Sequence, residues 1–185
     1  MKEDLLEAAA RVLARHGAHR FTTNHVAKAA GASIGSVYQY FPNKAALLVA
    51  LHERDALATW QRLARILEEP RRSARSRFQA LVVAFFQVQA QAAEHHGALD
   101  AAQASVAMTP DFLAFERMVV GRLEAFLRTA RPRRARDHAF WASFAFTVAT
   151  SVGERITARQ ADQRQAARIG AATARMLADA LGLGP

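Results

Sequence analysis

No cysteine occurs anywhere in the chain, which removes disulfides, thiolate metal ligands and a cysteine nucleophile from consideration. Proline and glycine are scarce, five and nine in 185 residues, so long stretches run without a residue that stops a helix. No segment alternates polar and apolar residues with the period of two that a half-buried strand needs. Nor is any apolar run long enough to cross a bilayer. The longest nearly apolar stretch, Ala139 to Val152, is flanked by His138 and Glu154 and falls short of the roughly 20 residues required. The first residues, MKEDLLEAAARVL, place Glu3, Asp4 and Glu7 where a secretory leader would be basic and then apolar. With the missing cysteine, this points to a cytoplasmic protein. The last absence is local: from Ala8 to His52 there is no Asp or Glu, while Arg11, Arg15, Arg20, Lys28 and Lys44 all lie there. In a chain of net charge +9, that segment holds nothing that repels phosphate, and a polyanionic partner becomes the leading expectation.

What is present is a helix-former's composition, rich in alanine, leucine and arginine, with 51% hydrophobic and 22% charged residues, the balance of a globular protein. The pattern predicts an all-α fold of about nine helices. A first helix spans roughly Glu3 to Arg15, with Leu5, Leu6, Ala9, Val12 and Leu13 on one face and Gly17 as its C-cap. Thr22 is a suitable N-cap for a second, which Gly31 ends, and Ser33 can cap a third that runs through Tyr40. A fourth begins near Asn43 or Lys44 and extends to about Glu69, where Pro70 breaks it. Further helical stretches are expected over 75–95, 100–108, 110–131, 137–160 and 162–181, with no internal repeat and no low-complexity linker. A three-helix domain over 1–52 and a larger helical domain over 53–185 follow.

The letters Gly31-Ala32-Ser33-Ile34-Gly35 fit the G-x-S-x-G pattern of a serine hydrolase elbow. That elbow needs a strand entering and a helix leaving, so that the turn lifts the serine hydroxyl above a parallel sheet. Here an alanine-rich helical segment enters, and the chain offers no strand, although Asp100, Asp111, Asp137 and His138 could supply letters for a triad. A helix-turn-helix constrains more of the residues. Ala27 is the small contact where two short helices cross, Gly31 the turn, and Val37 the apolar anchor of the second helix. Val26, Ala30 and Ala32 are apolar where the unit meets its core, whereas Asn24, Lys28, Ser33, Ser36 and Gln39 form a polar outer face fit for DNA.

The stretch FTTNHVAKAAGASIGSVYQYFPNKAALL, Phe21 to Leu48, resembles the DNA-binding signature of the tetracycline-repressor (TetR) family of transcriptional regulators. The threonine pair, the alanine-glycine turn, the S.G..Y.YF pattern and the NKAALL entry all occur in order. The resemblance covers about the first 50 residues; the rest is similar in helical layout and length. It implies phosphate contacts from Thr22, Thr23, Ser33, Tyr38, Tyr40 and Lys44, which fix register. Asn24, Ser36 and Gln39 are then the base readers, and Gly35 lets the backbone approach the groove. Val26, Val37 and Phe41 are core. His25 stands where an acidic residue commonly completes a capping box, so a less firmly capped second helix is expected.

The later segments carry two further expectations. The apolar helix around Ala139 to Val152 needs cover on more than one side, and Ala145, Ala149, Gly153, Gly170, Ala174 and Leu177 form the seam of a homodimeric four-helix bundle. By the resemblance, that dimer binds a palindromic operator in double-stranded DNA. Trp60, Phe85, Phe86, Met108, Phe112, Phe115, Met118, Trp141 and Phe144 read as core individually and, together with Gln89, Gln103, Thr147 and Ser151, as a pocket for a flat or lipophilic small-molecule effector. The arginines from Arg128 to Arg136 read as a solvated loop. His95-His96 point to different faces of a helix, so no metal, and no other cofactor, is expected. The function that follows is a ligand-responsive repressor, not an enzyme. An effector-independent DNA-binding protein and a Ser33 hydrolase are the alternatives.

Overall fold

The computed structural model describes residues 1–93, 109–158 and 162–184. Among them the chain is helical, with no strand: α1 (Lys2–His16), α2 (Thr23–Ala30), α3 (Ile34–Tyr40), α4 (Lys44–Ala64), α5 (Ala74–Ala93), α6 (Pro110–Ala130), α7 (His138–Ala158) and α8 (Gln163–Leu181). Short 3₁₀ turns occupy Ala18–Arg20 and Arg65–Glu68. The all-α class matches the expectation. The short helix expected over 100–108 lies outside the described residues, as do Gln103, Met108 and the His95-His96 pair. The fourth helix is one turn shorter than the sequence predicts. It tightens to 3₁₀ at Arg65, and Glu69 is extended (φ −66°, ψ 104°), the conformation that a following proline imposes on its neighbour. No helix among the described residues is long and apolar enough to cross a membrane.

The chain divides into two compact units. Among the described residues, the first comprises 1–57 and 109–113, and the second 58–93, 114–158 and 162–184. The first unit closes over one apolar cluster. Leu5, Leu6 and Val12 come from α1, Val26 and Ala27 from α2, Val37 from α3, and Leu47, Leu48 and Leu51 from α4, with Phe21 and Phe41 filling the loops. Its acids are paired at the surface: Arg54 meets both Glu3 and Asp55, and Arg11 meets Glu7. At the start of α6 the Thr109 hydroxyl donates to the Glu53 carboxylate and accepts the Phe112 N–H.

In the second unit α5 packs along α8 and against α7, and the small residues of those helices explain how it fits. A Cβ built on Gly170 would lie 2.8 Å from the Cβ of Phe86, and one on Gly153 would lie 3.1 Å from the Phe85 ring and 3.2 Å from Gln89 Nε2. Ala145, Ala174 and Leu177 are buried in the same core, and Ala149 packs against it. Of the six residues expected at a dimer seam, five are buried within their own chain, where the small ones admit another of its helices. The faces that α7 and α8 do leave open carry Phe140, Phe144 and Met176, exposed to 57%, 41% and 54%. The arginines from Arg128 to Arg136 are all exposed, as expected, and their loop also closes the end of α8. Gly182 adopts the left-handed conformation (φ 71°), and Leu183 N–H donates back to Ala178 O. The N–H groups of Arg133, Arg134 and Ala135 donate to Gly182 O and Leu181 O, and the side chains of Arg134 and Arg75 donate to Asp179 O and Leu183 O. Carbonyls that a helix end would otherwise leave unsatisfied are thus taken up by backbone amides of the loop and by two guanidinium groups.

Candidate nucleic-acid interface

Two short helices and one turn form the candidate site, and local chemistry sets each boundary. Thr22 Oγ1 accepts the His25 N–H at 3.2 Å, which starts α2. At the other end Gly31 takes φ 65° and ψ 26°, the Gly31 N–H donates to Lys28 O and the Ala32 N–H to Ala27 O. That pair of bonds is a Schellman turn, and its left-handed residue is cheapest as glycine. Two residues later Ser33 Oγ accepts the Ser36 N–H at 3.0 Å and lies 2.9 Å from Ser36 Oγ, opening α3. Ser33 is therefore a helix cap in a helix-turn-helix, and the hydrolase-elbow reading of these five letters fails on geometry as well as on context. Asn43 Oδ1 accepts the Ala46 N–H at 2.8 Å and starts α4 directly after the Pro42 turn.

The capping expectation for His25 is half met. The Thr22 bond is present, but the His25 ring turns to Arg20 O, 3.0 Å from Nδ1, and stacks on His16 at 5.3 Å. It therefore ties the loop before α2 to the end of α1.

Val37 is the inward residue of α3 and is fully buried. Gly35, Tyr38, Gln39 and Tyr40 are exposed, and Ser36 is half-buried. From α2 and its cap, Thr22, Asn24 and Lys28 are exposed and Thr23 is half-buried. Tyr38 and Thr23 approach through their hydroxyls at 3.4 Å, which holds α3 to α2 on the outer side. Lys44 is exposed, with Nζ 5.7 Å from the Phe21 ring centroid. Apart from Lys44, which opens α4, the residues named as DNA contacts thus share one short two-helix unit with its caps, and no carboxylate occurs among residues 8–52. Gly35 is informative in a different way. A Cβ there would meet nothing tighter than Ser33 Oγ at 3.7 Å, so the fold does not require glycine, although glycine in a helix costs about 1 kcal/mol relative to alanine. The sequence reading passes over Ile34, which is 38% exposed. Its position three before Val37 puts it on the flank of the inward face, where spacing alone does not decide exposure.

Of the residues named for an effector pocket, Phe85, Phe115 and Trp141 pack against the core cluster that holds Trp60 and Phe86. Trp60 and Phe86 are buried in the core of the second unit, and Phe85 sits edge-on to Phe86 at 5.6 Å. Gln89, Phe112, Phe115 and Trp141 are half-buried, whereas Met118, Phe144 and Thr147 are exposed. Trp141 and Phe144 also stack with Phe140 toward the surface. A cleft of about 330 Å³ in this unit is lined by Arg75, Arg133, Arg134, Asp179 and Leu183 and by none of these aromatics.

Residues 5–51 match the family model described as bacterial regulatory proteins, tetR family. Over 69 residues the chain is 39% identical to the nucleoid occlusion factor SlmA of Vibrio atlanticus (strain LGP32), a match that spans 37% of this chain and 35% of that protein. The chain therefore covers about a third of the length of that relative. Three solved structures resemble the whole fold. A TetR transcription regulator from Haloarcula marismortui has a TM-score of 0.68 at 18% identity, over 97% of this chain and 96% of that one. The regulator FadR from Bacillus subtilis, in complex with stearoyl-CoA, gives 0.61 at 17%, over 97% and 99%. A complex of SmeT, the repressor of the Stenotrophomonas maltophilia multidrug efflux pump SmeDEF, with triclosan gives 0.58 at 23%, over 97% and 90%. At these identities the likeness is one of fold.

Proposed function

From the match of residues 5–51 to the tetR family model, we propose that this chain is a TetR-family DNA-binding transcriptional regulator that acts as a homodimeric repressor released from a palindromic operator by a small, largely apolar effector. The observation that carries the DNA-reading part is the outer face of α3: uncharged, exposed, and furnished with a glycine for which nothing inside the chain accounts. A backbone freed of its side chain is useful where another molecule must come close. In this reading residues 1–52 are the reading head. Thr22, Thr23, Ser33, Tyr38, Tyr40 and Lys44 hold phosphates, Lys28 adds positive charge beside them, and Asn24, Ser36 and Gln39 read base edges. Residues 53–185 bind the effector and the second copy. The exposed Phe140 and Phe144 of α7 and Met176 of α8 replace the small residues as the apolar anchors of that dimer.

Support for an effector comes from the regulators of this fold that were captured with stearoyl-CoA and with triclosan, two ligands with large apolar bodies. Within the second unit, the half-buried Phe85, Gln89, Phe115 and Trp141 are the side chains through which a similar ligand would enter. The experiment is in vitro selection of duplexes on the full chain, followed by a fluorescence-anisotropy titration of the winner against fatty acyl-CoA and chlorinated phenols. An inverted repeat is expected, with DNA released by at least one ligand class. Failure to enrich any sequence removes the operator, and enrichment without release by any ligand leaves an effector-independent DNA-binding protein.

A further inference from the structure

The recognition helix carries no charge, and seven residues complete it. With Val37 inward, a turn of 100° per residue sets Gly35 and Gln39 on the opposite side, Ile34 and Tyr38 on one flank, and Ser36 and Tyr40 on the other. The two flanks of the first turn differ in kind. Ser36 has its hydroxyl 2.9 Å from Ser33 Oγ and its N–H on the same oxygen, so the polar flank is already engaged within the chain. Ile34 is 38% exposed, beside a Tyr38 that is 49% exposed. A β-branched apolar residue in an exposed first turn serves neither the helix, which favours unbranched or acidic residues there, nor contact with water. A Cβ on its neighbour Gly35 would make only an ordinary contact, with Ser33 Oγ at 3.7 Å.

We propose that Ile34 is a specificity residue that reads the C5-methyl of a thymine in the major groove, making an A·T pair a requirement under the first turn of α3. The inference rests on the reading of α3 as the DNA-recognising helix. Among the groups that base pairs present in the major groove, the thymine methyl is the apolar one. An isoleucine laid over any other edge covers donors and acceptors and returns no hydrogen bond, so the contact both attracts thymine and disfavours G·C. Gly35 permits the approach that brings a side chain as short as that of Ile34 into contact with a base edge.

The test starts from the selected duplex and replaces each thymine of one half-site, singly, with deoxyuridine, which deletes the methyl and keeps the base pairing. Dissociation constants are measured for the wild-type chain, Ile34→Ala and Ile34→Val. At one position deoxyuridine should weaken wild-type binding about fourfold, the worth of one methyl taken from water. Ile34→Ala should bind the two duplexes equally, and Ile34→Val should fall between. Because each variant is compared with itself on two duplexes, a general loss of affinity or stability does not alter the ratio. A wild-type chain indifferent to deoxyuridine at every thymine overturns the proposal, as does an Ile34→Ala that still discriminates fully. A wild-type chain that selects no sequence at all overturns the DNA-reading function itself, a different result.

Discussion

Two glycines in the middle of long helices should answer the same substitution with opposite signs. Gly121 lies exposed in α6, and a Cβ added there meets nothing within 4 Å. Alanine at that site should stabilise by about 1 kcal/mol, since it fixes a backbone that glycine leaves loose. Gly170 in α8 gains the same about 1 kcal/mol of helix propensity, but its new Cβ would stand 2.8 Å from the Cβ and 3.1 Å from the Cγ of Phe86, which is fully buried. A Cβ cannot swing aside by changing rotamer, so α5 and α8 must part. Forcing a methyl into a packed core costs about 1–3 kcal/mol, and a clash against atoms this close to the backbone belongs at about 3 kcal/mol on that scale. The net loss for Gly170→Ala is then about 2 kcal/mol. For a chain of this length each 1 kcal/mol moves the melting point by about 2–4 °C. Urea titration followed by helical circular dichroism should place Gly121→Ala above and Gly170→Ala below the wild-type midpoint. A Gly170→Ala midpoint equal to that of Gly121→Ala would refute the packing argument.

Lys44→Ala should weaken binding to every duplex and lower the slope of log affinity against log salt by about one unit per protomer, because one phosphate contact is lost; an unchanged slope takes Lys44 out of the phosphate set. Gln39→Ala should instead leave the slope alone and relax preference at defined base pairs, seen by repeating the selection with the variant. Phe140→Glu puts a charge on a residue that is 57% exposed and stacked on Phe144 at 6.0 Å. It should yield a helical monomer in sedimentation, whereas dimerisation as tight as the wild type would mean that the α7 stack faces something other than a second copy.

What the sequence makes legible is the chemistry that acts over a few residues. Thr22, Gly31 and Ser33 announce their caps because each works on backbone groups two to five positions away, and the structure has all three in those roles. The end of α4 is legible to within a turn, since Pro70 acts on its neighbour while the 3₁₀ tightening before it depends on packing around Leu67. His25 shows the limit of the local rule, because its ring finds partners in Arg20 and His16 that a capping pattern does not consider. Long-range pairing is less legible still. Small residues at Gly153 and Gly170 signal that a helix comes close, but whose helix it is depends on Phe85, Phe86 and Gln89, far earlier in the same chain. The aromatics likewise cannot be sorted by type. Phe86 fills a core and Phe140 lies open to water, and only the direction of each helix face separates them.

Of the seven residues in α3, Val37 alone is fully buried, and the hydroxyls that start the helix belong to Ser33 and Ser36. Apart from Ser36, which serves in both, the foundation of the helix and its reading edge are therefore different residues. Exchanging Ile34, Gly35 or Gln39 alters what the edge presents and leaves the turn, the cap and the anchor standing. Such a segment can drift toward a new binding sequence without passing through an unfolded intermediate, so regulators built this way can acquire new targets faster than they acquire new folds.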